Sequence, residues 1–227
     1  MALRDDLSLE YARLTRVLSA VGSLQEEMRA SVWDSAALEV IRRRARGIIR
    51  REIRKGIGGS LHKRFLSAIT PSGETVLWDT VLTMADRIYE LQDSYRMAHV
   101  LLEPMLEAAL EAEQDVIACY DPYARSVRLS HLILPGLRLA FTSLPFPGET
   151  YRRIRLDAAI PKETVNRHRL RLRFLRKTES ALLEDACGIM ASAAEKHGKL
   201  EDLYNPHIDF TGVRALADAY ADKILLD

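Results

Sequence analysis

Cysteine is nearly absent from this chain. Cys119 and Cys187 stand far apart in 227 residues and belong to no metal-spaced motif. That excludes a disulfide framework and fits a reducing, cytoplasmic setting. Net charge is nearly absent too: 33 basic against 32 acidic residues leave +1, so bulk charge argues neither for nor against nucleic acid. No apolar run reaches the ~18 residues that a membrane helix needs. The opening MALRDDLSLEYARL has no basic stretch followed by an apolar core, so a signal peptide is not expected. The six histidines, His62, His99, His131, His168, His197 and His207, include no i, i+4 pair for a helical metal site. Ser130-His131 has no G-x-S-x-G elbow beside it. These residues predict no metal and no cofactor. The hydrophobic fraction is 48%, enough for one packed domain with an appendage or for two small ones.

Three parts are expected along the chain. Residues 1–60 read as a helical arm. Leu7, Tyr11, Leu14, Val17, Leu18 and Val21 share one face, and after a break near residues 31–34 Leu38, Ile41, Ala45, Ile48, Ile49 and Ile53 share another. The second helix is basic on its opposite face, through Arg42, Arg43, Arg44, Arg46, Arg50, Arg51 and Arg54. KGIGGS, residues 55–60, reads as a flexible linker and the best boundary. Residues 61–160 read as an α/β core. Phe65 to Ile69 suggest a strand, Thr70-Pro71-Ser72-Gly73 a turn, and Val76, Leu77, Val81 and Met84 an amphipathic helix. Residues 161–227 read as a C-terminal helical arm, with Pro161 at the first turn of a long helix, a break at Asn205-Pro206, and a last helix carrying Val213, Leu216, Tyr220 and Ile224.

The core centres on Arg87–Val100, RIYELQDSYRMAHV. Ile88, Tyr89 and Leu91 give a β-prone run and Asp93-Ser94-Tyr95 a break. An apolar run from Met97 to Ala112 follows, and then the β-prone DVIAC of residues 115–119. Strand, loop, helix and strand at this spacing form a βαβ unit. A phosphate-binding loop of the form G-x-x-x-x-G-K-[ST] would fall on Asp93, Ser94, Tyr95, Arg96, Met97, Ala98, His99 and Val100, with Asp93, Ala98, His99 and Val100 at its four defining places. None matches. A carboxylate at Asp93 repels phosphate by roughly 1 kcal/mol in water and about 4 near a protein surface at ~4 Å. Exchanging Lys for a mostly neutral His forfeits about 1.5–3 kcal/mol. Val100 cannot ligate magnesium. Pro104 predicts a kink or a later helix start. A later run, Leu137 to Thr142, ends in Thr142-Ser143 with no carboxylate close by in sequence. The loop thus reads as structural, the alternative being a divergent anion site built from Arg96, His99 and backbone amides, with Arg152 as a third cation.

Two stretches align without a gap, Glu26–Ile41 and Glu201–Leu216, matching Trp33 to Ile208, Asp34 to Asp209, Leu38 to Val213 and Ile41 to Leu216. Both read as a helix end, an apolar-Asp pair and a new helix, with the Asp as N-cap. The N-terminal arm accordingly reads as the tail of a preceding domain.

RFLSAITPSG, RIYELQDSYRMAHVLL, DVIACYDP, LSHLILPGLRLAF and LYNPHIDF resemble the C-terminal half of bacterial tandem P-loop ATPases of unassigned role. The likeness covers Leu61 to Asp227, and the arm from Leu7 to Ile53 only weakly. It implies an α/β, P-loop NTPase-like core with a mainly parallel sheet. Its active loop, similar to GGPGTGKS, falls on Asp93 to Val100 and departs at each phosphate or metal ligand, so ATP and magnesium are implied by resemblance alone. The expectation is a degenerate domain without ATP hydrolysis. It would act by assembly with itself, as a homo-oligomer, or with a partner carrying an intact loop, and at no membrane. Two alternatives stand beside it: a nucleic-acid binder using the basic face Arg42, Arg43, Arg46, Arg50 and Arg54 together with residues 167–176, and a nucleotide-binding ATPase with an anion site rebuilt at Arg96, His99 and Arg152.

Overall fold

The computed structural model describes residues 2–123 and 128–225. Helix α1 (Ala2–Val32) leads into α2 (Ser35–Glu52). Asp34 caps α2, its Oδ1 accepting the Ala37 N–H at 2.8 Å. Leu38, Ile41, Ala45 and Ile48 of α2 are buried in one stripe. The glycine-rich stretch that follows is tied down by main-chain bonds. The Gly56 N–H donates to Ala112 O at 2.7 Å and the Gly58 N–H to Glu113 O at 2.9 Å. A Cβ on Gly56 would lie 2.3 Å from Glu113 O, so this close approach needs glycine.

The core then runs through β1 (Leu61–Arg64), β2 (Ser67–Thr70), β3 (Gly73–Val76), α3 (Trp78–Met84), β4 (Arg87–Gln92), α4 (Ala98–Glu111), β5 (Val116–Tyr120), β6 (Leu129–Leu134), β7 (Leu139–Thr142) and β8 (Arg152–Arg155). Six strands form one sheet in the order β1-β5-β6-β7-β4-β8. β6 runs antiparallel to both neighbours, and the other three pairings are parallel. The fold is therefore α/β with a mostly parallel sheet flanked by helices. The expected β4–α4–β5 unit is present, but it steps over β7 and β6 rather than joining neighbours.

The two sheet faces differ. On one, α2 and α4 cover Tyr89, Leu91, Leu132, Leu134 and Phe141, forming the main core. On the other, α3 covers Ile88, Ile133 and Ala140 in a smaller cluster with Leu66, which precedes the β2–β3 hairpin. Several local expectations change. Val76 ends β3 rather than opening a helix, and Leu77 is exposed. Beyond the proline-rich stretch that follows Thr142, β8 adds an edge strand. Helix α4 runs unbroken through Pro104. Its missing bond costs less because the surrounding packing, with Leu101, Leu102 and Met105 fully buried, holds the helix.

The C-terminal arm comprises α5 (Lys162–Arg167), α6 (Arg169–Tyr204) and α7 (Phe210–Leu225). The expected single long helix is divided at His168. Helices α1 and α6 pack along each other in antiparallel register, with Glu10 on Lys196 and Ser192, Arg13 on Asp185, and Glu27 on Arg171. Asp209 repeats the role of Asp34 by accepting the Gly212 N–H at 3.0 Å. Among the described residues helix α7 has no packed partner: Phe210, Val213, Leu216, Tyr220 and Ile224 are each more than half exposed. No helix among the described residues is long and apolar enough to cross a membrane.

Candidate functional site

The connection from β4 to α4 lies at the carboxyl ends of parallel strands; β4 leads into α4 on the main-core face, whereas the chain after β7 packs Phe146 on the opposite, α3 face. Such a switch point opens a crevice where α/β proteins bind ligands. Here the crevice is a cleft of about 780 Å³ lined by Glu90, Asp93, Ser94, Arg96, Ser143, Asp157, Arg176 and Glu179, among others.

Asp93 dominates it. Its Oδ1 accepts the Met97 N–H and its Oδ2 the Ala98 N–H, both at 2.7 Å. These are the free amides at the start of α4, where the helix dipole favours negative charge. The carboxylate sits as a bound oxyanion would. Its carboxyl group is nevertheless pushed up to about 6, because burial outweighs those two amide bonds. Beyond it lies a crevice of about 10 Å³ bordered by Arg29, Arg96, His99, Asp121 and Ser130. That is room for about one water and not for a phosphate.

Arg96 shapes the loop. Its φ is 59°, a left-handed conformation that costs a side-chain-bearing residue about 1–2 kcal/mol relative to glycine. Its Nη2 donates to Glu179 Oε1 on α6 at 2.8 Å, and Gln25 on α1 donates to the same oxygen at 2.8 Å. Burial raises the cost of that carboxylate unless it is paired, and the Arg96 guanidinium of the loop and the Gln25 amide of α1 meet the need. Ser94 N–H donates to Asp157 Oδ1 at 2.8 Å. The Arg176 guanidinium lies 5.0 Å over the buried Tyr95 ring. Met97 and Ala98 are buried beside it, and Val100, at the place of a metal-binding hydroxyl, is buried in the apolar core.

His99 borders the small crevice but not the larger cleft. Its ring stacks on Trp33, centroids 6.5 Å apart, and burial pushes its pKa down, so it is neutral near pH 7. Arg152 lies in neither crevice with Arg96. It lines a separate groove with Arg44 and Arg51 of α2. Of the basic face, Arg46 pairs with Glu39 at 2.5 Å. Arg54 closes the end of α2 by donating to the carbonyls of Arg50, Arg51 and Ile53. Arg42, Arg43 and Arg50 are exposed. Helices α2 and α4 meet through their apolar faces, and just beyond their C-terminal ends Lys55 lies 3.8 Å from Glu113. His131 is buried with its Nδ1 3.0 Å from Thr142 Oγ1, and burial drops its pKa to about 3.

Sequence reasoning found no carboxylate beside Thr142-Ser143. The folded chain brings four to the cleft that Ser143 lines: Glu90, Asp93, Asp157 and Glu179. No group of three or more His, Cys, Asp or Glu side chains among the described residues is arranged to hold a metal ion. Compared with known proteins, the chain matches no family model, no curated protein and no solved structure.

Proposed function

We propose that this chain is a degenerate P-loop NTPase-like domain that does not hydrolyse ATP and acts through assembly, with a second copy or with a relative carrying an intact loop. The observation that carries the reading is the Asp93 carboxylate bonded to the Met97 and Ala98 amides. An internal anion holds the place that a nucleotide phosphate would need. The cleft around it supports the same reading, since four carboxylates face two guanidiniums, Arg96 and Arg176. A polyphosphate would meet net repulsion there.

The assembly part rests on α7. Phe210, Val213, Ala217, Tyr220 and Ile224 follow 3-4-3-4 spacing, the seam of a helix that packs on a partner. By the repeat, α7 corresponds to α2, but Tyr220 falls where Ala45 is fully buried. It cannot replace α2 on this core without overpacking. Helix α7 therefore adds a contact instead of exchanging one.

The test is a thermal-shift titration with ATP, ADP and GTP, with and without magnesium. Binding to the folded state adds about 2.7 kcal/mol at a hundredfold excess over Kd. The expected result is no shift at millimolar nucleotide. Magnesium-dependent ATP hydrolysis that disappears in Arg96→Ala or His99→Ala overturns the reading.

A further inference from the structure

We propose that the groove between α2 and the edge strand β8 binds the sugar–phosphate backbone of single-stranded nucleic acid. The groove has a volume of about 410 Å³. One wall carries Arg44 and Arg51 of α2, the other Arg152, Arg153 and Arg155 of β8, and Ile48 and Ile154 lie between them. No carboxylate lines it. The Arg44 guanidinium donates to a main-chain oxygen, Arg155 O, at 2.6 Å. Arg51 and Arg153 keep carboxylate partners outside the groove, Glu52 at 2.9 Å and Glu90 at 3.2 Å. Arg152 and Arg155 have no ion pair among the described residues. Arg152 lies on the groove side of the strand with Ile154, and Arg153 and Arg155 alternate to its other side, so the edge carries arginine on both faces, whose planar forks match phosphate oxygens.

Three features narrow the ligand. The cations are set along a helix, Arg44 and Arg51 two turns apart on one face of α2, and along the facing strand, so the charge is spread along the groove rather than closed around one phosphate. Gly47 sits on the α2 wall with open space over it. It costs the helix roughly 0.5–1 kcal/mol against Ala and relieves no clash, and it leaves the groove unobstructed. Tyr151, just before β8 and next in sequence to the groove residue Arg152, is more than half exposed, its ring edge-on to Tyr89 with centroids 5.3 Å apart and the Arg87 guanidinium 5.6 Å from its centroid. An exposed aromatic beside a cationic track is the pairing that holds single strands, bases on the ring and phosphates on the arginines. Among the described residues nothing lies beyond β8 in the sheet, so the groove is open along that edge.

The experiment is fluorescence anisotropy of labelled oligothymidylate and oligouridylate across about 50–200 mM salt. Four phosphate contacts predict a slope of about −3 in log affinity against log salt, at ~0.7 per contact for single strands. Arg152→Glu with Arg155→Glu should weaken binding more than tenfold and flatten the slope by about 1.4. Arg152→Lys with Arg155→Lys should retain most of it. Arg42→Glu with Arg46→Glu, off the groove, should change it far less than the groove pair. Tyr151→Ala should cost about tenfold with the slope unchanged, because stacking releases no counterions. Circular dichroism and melting temperature check that each variant folds. Equal losses in the groove and off-groove charge reversals, a flat salt dependence, displacement by mononucleotide at equal concentration, or equal binding of an oligoglutamate overturn the proposal.

Discussion

Arg96 of the β4–α4 loop and Glu179 of α6 meet at 2.8 Å, and the carboxylate they share with Gln25 of α1 is buried. The loop is thereby held by both helical arms. Removing Arg96 leaves Glu179 with one neutral partner. Arg96→Ala should lower unfolding free energy by about 2–3 kcal/mol, less than a fully buried pair would lose, because the arginine is a third exposed. A double-mutant cycle with Glu179→Ala, read by urea unfolding, should give a coupling of about 1–3 kcal/mol.

Asp93 titrates near pH 6 in the folded chain, against an ordinary value of 3.8. Between those values the folded state binds more protons than the unfolded one, so its contribution to stability grows as pH falls from about 7 to 4. His131, held neutral by burial, works in the opposite direction below its ordinary value of 6.5. Comparing wild type with Asp93→Asn cancels the histidine. The difference in stability should move in favour of wild type by up to about 3 kcal/mol on acidification. A pH-independent difference in melting temperature would contradict the assignment.

Asp34 and Asp209 occupy matching breaks and make matching caps, yet they should respond differently to the same change. Helix α2 is packed into the core, so Asp34→Ala should cost the whole domain about 1 kcal/mol. Helix α7 has no packed partner among the described residues, so Asp209→Ala should lower far-ultraviolet helical signal while the melting temperature stays within a degree or so.

The exposed α7 stripe predicts concentration-dependent association. Light scattering behind size exclusion should show a species larger than the monomer, alone or with an intact-loop relative. Leu216→Glu with Tyr220→Glu should abolish it. Both side chains are more than half exposed, so the monomer's stability should change by no more than about 0.5 kcal/mol.

The elements legible in the sequence were those with an unambiguous period or a strong punctuating residue. The α2 stripe, the Asp34 cap, the β4 run and the break at Asn205-Pro206 fall where the pattern places them. Strand β6 was missed because LSHLIL is buried almost throughout and shows no alternation. Strand β8 was missed because three of its four residues are arginine, which only an edge can tolerate. At the site, the departures from a phosphate loop were visible, but the partners were not. Glu179 and Gln25 lie far from the loop in sequence, on arms that meet only after folding. No local pattern in either helix marks them. The α2–β8 groove was hidden for the same reason, since its two arginine rows are separated by the whole core.

The antiparallel strand β6 also sets an order of events. Strands β5, β6 and β7 are consecutive in the chain and adjacent in the sheet, so this meander closes only short loops. Strand β4 must wait for β7 and then for β8, and β1 must reach across to β5, each at a larger loop-closure entropy. The meander is thus the natural nucleus, and the two edges arrive last. Substitutions in β6 should slow refolding in stopped-flow chevrons. Substitutions in β8 should leave that limb in place and speed unfolding, making the arginine-bearing edge the part of the sheet that opens first.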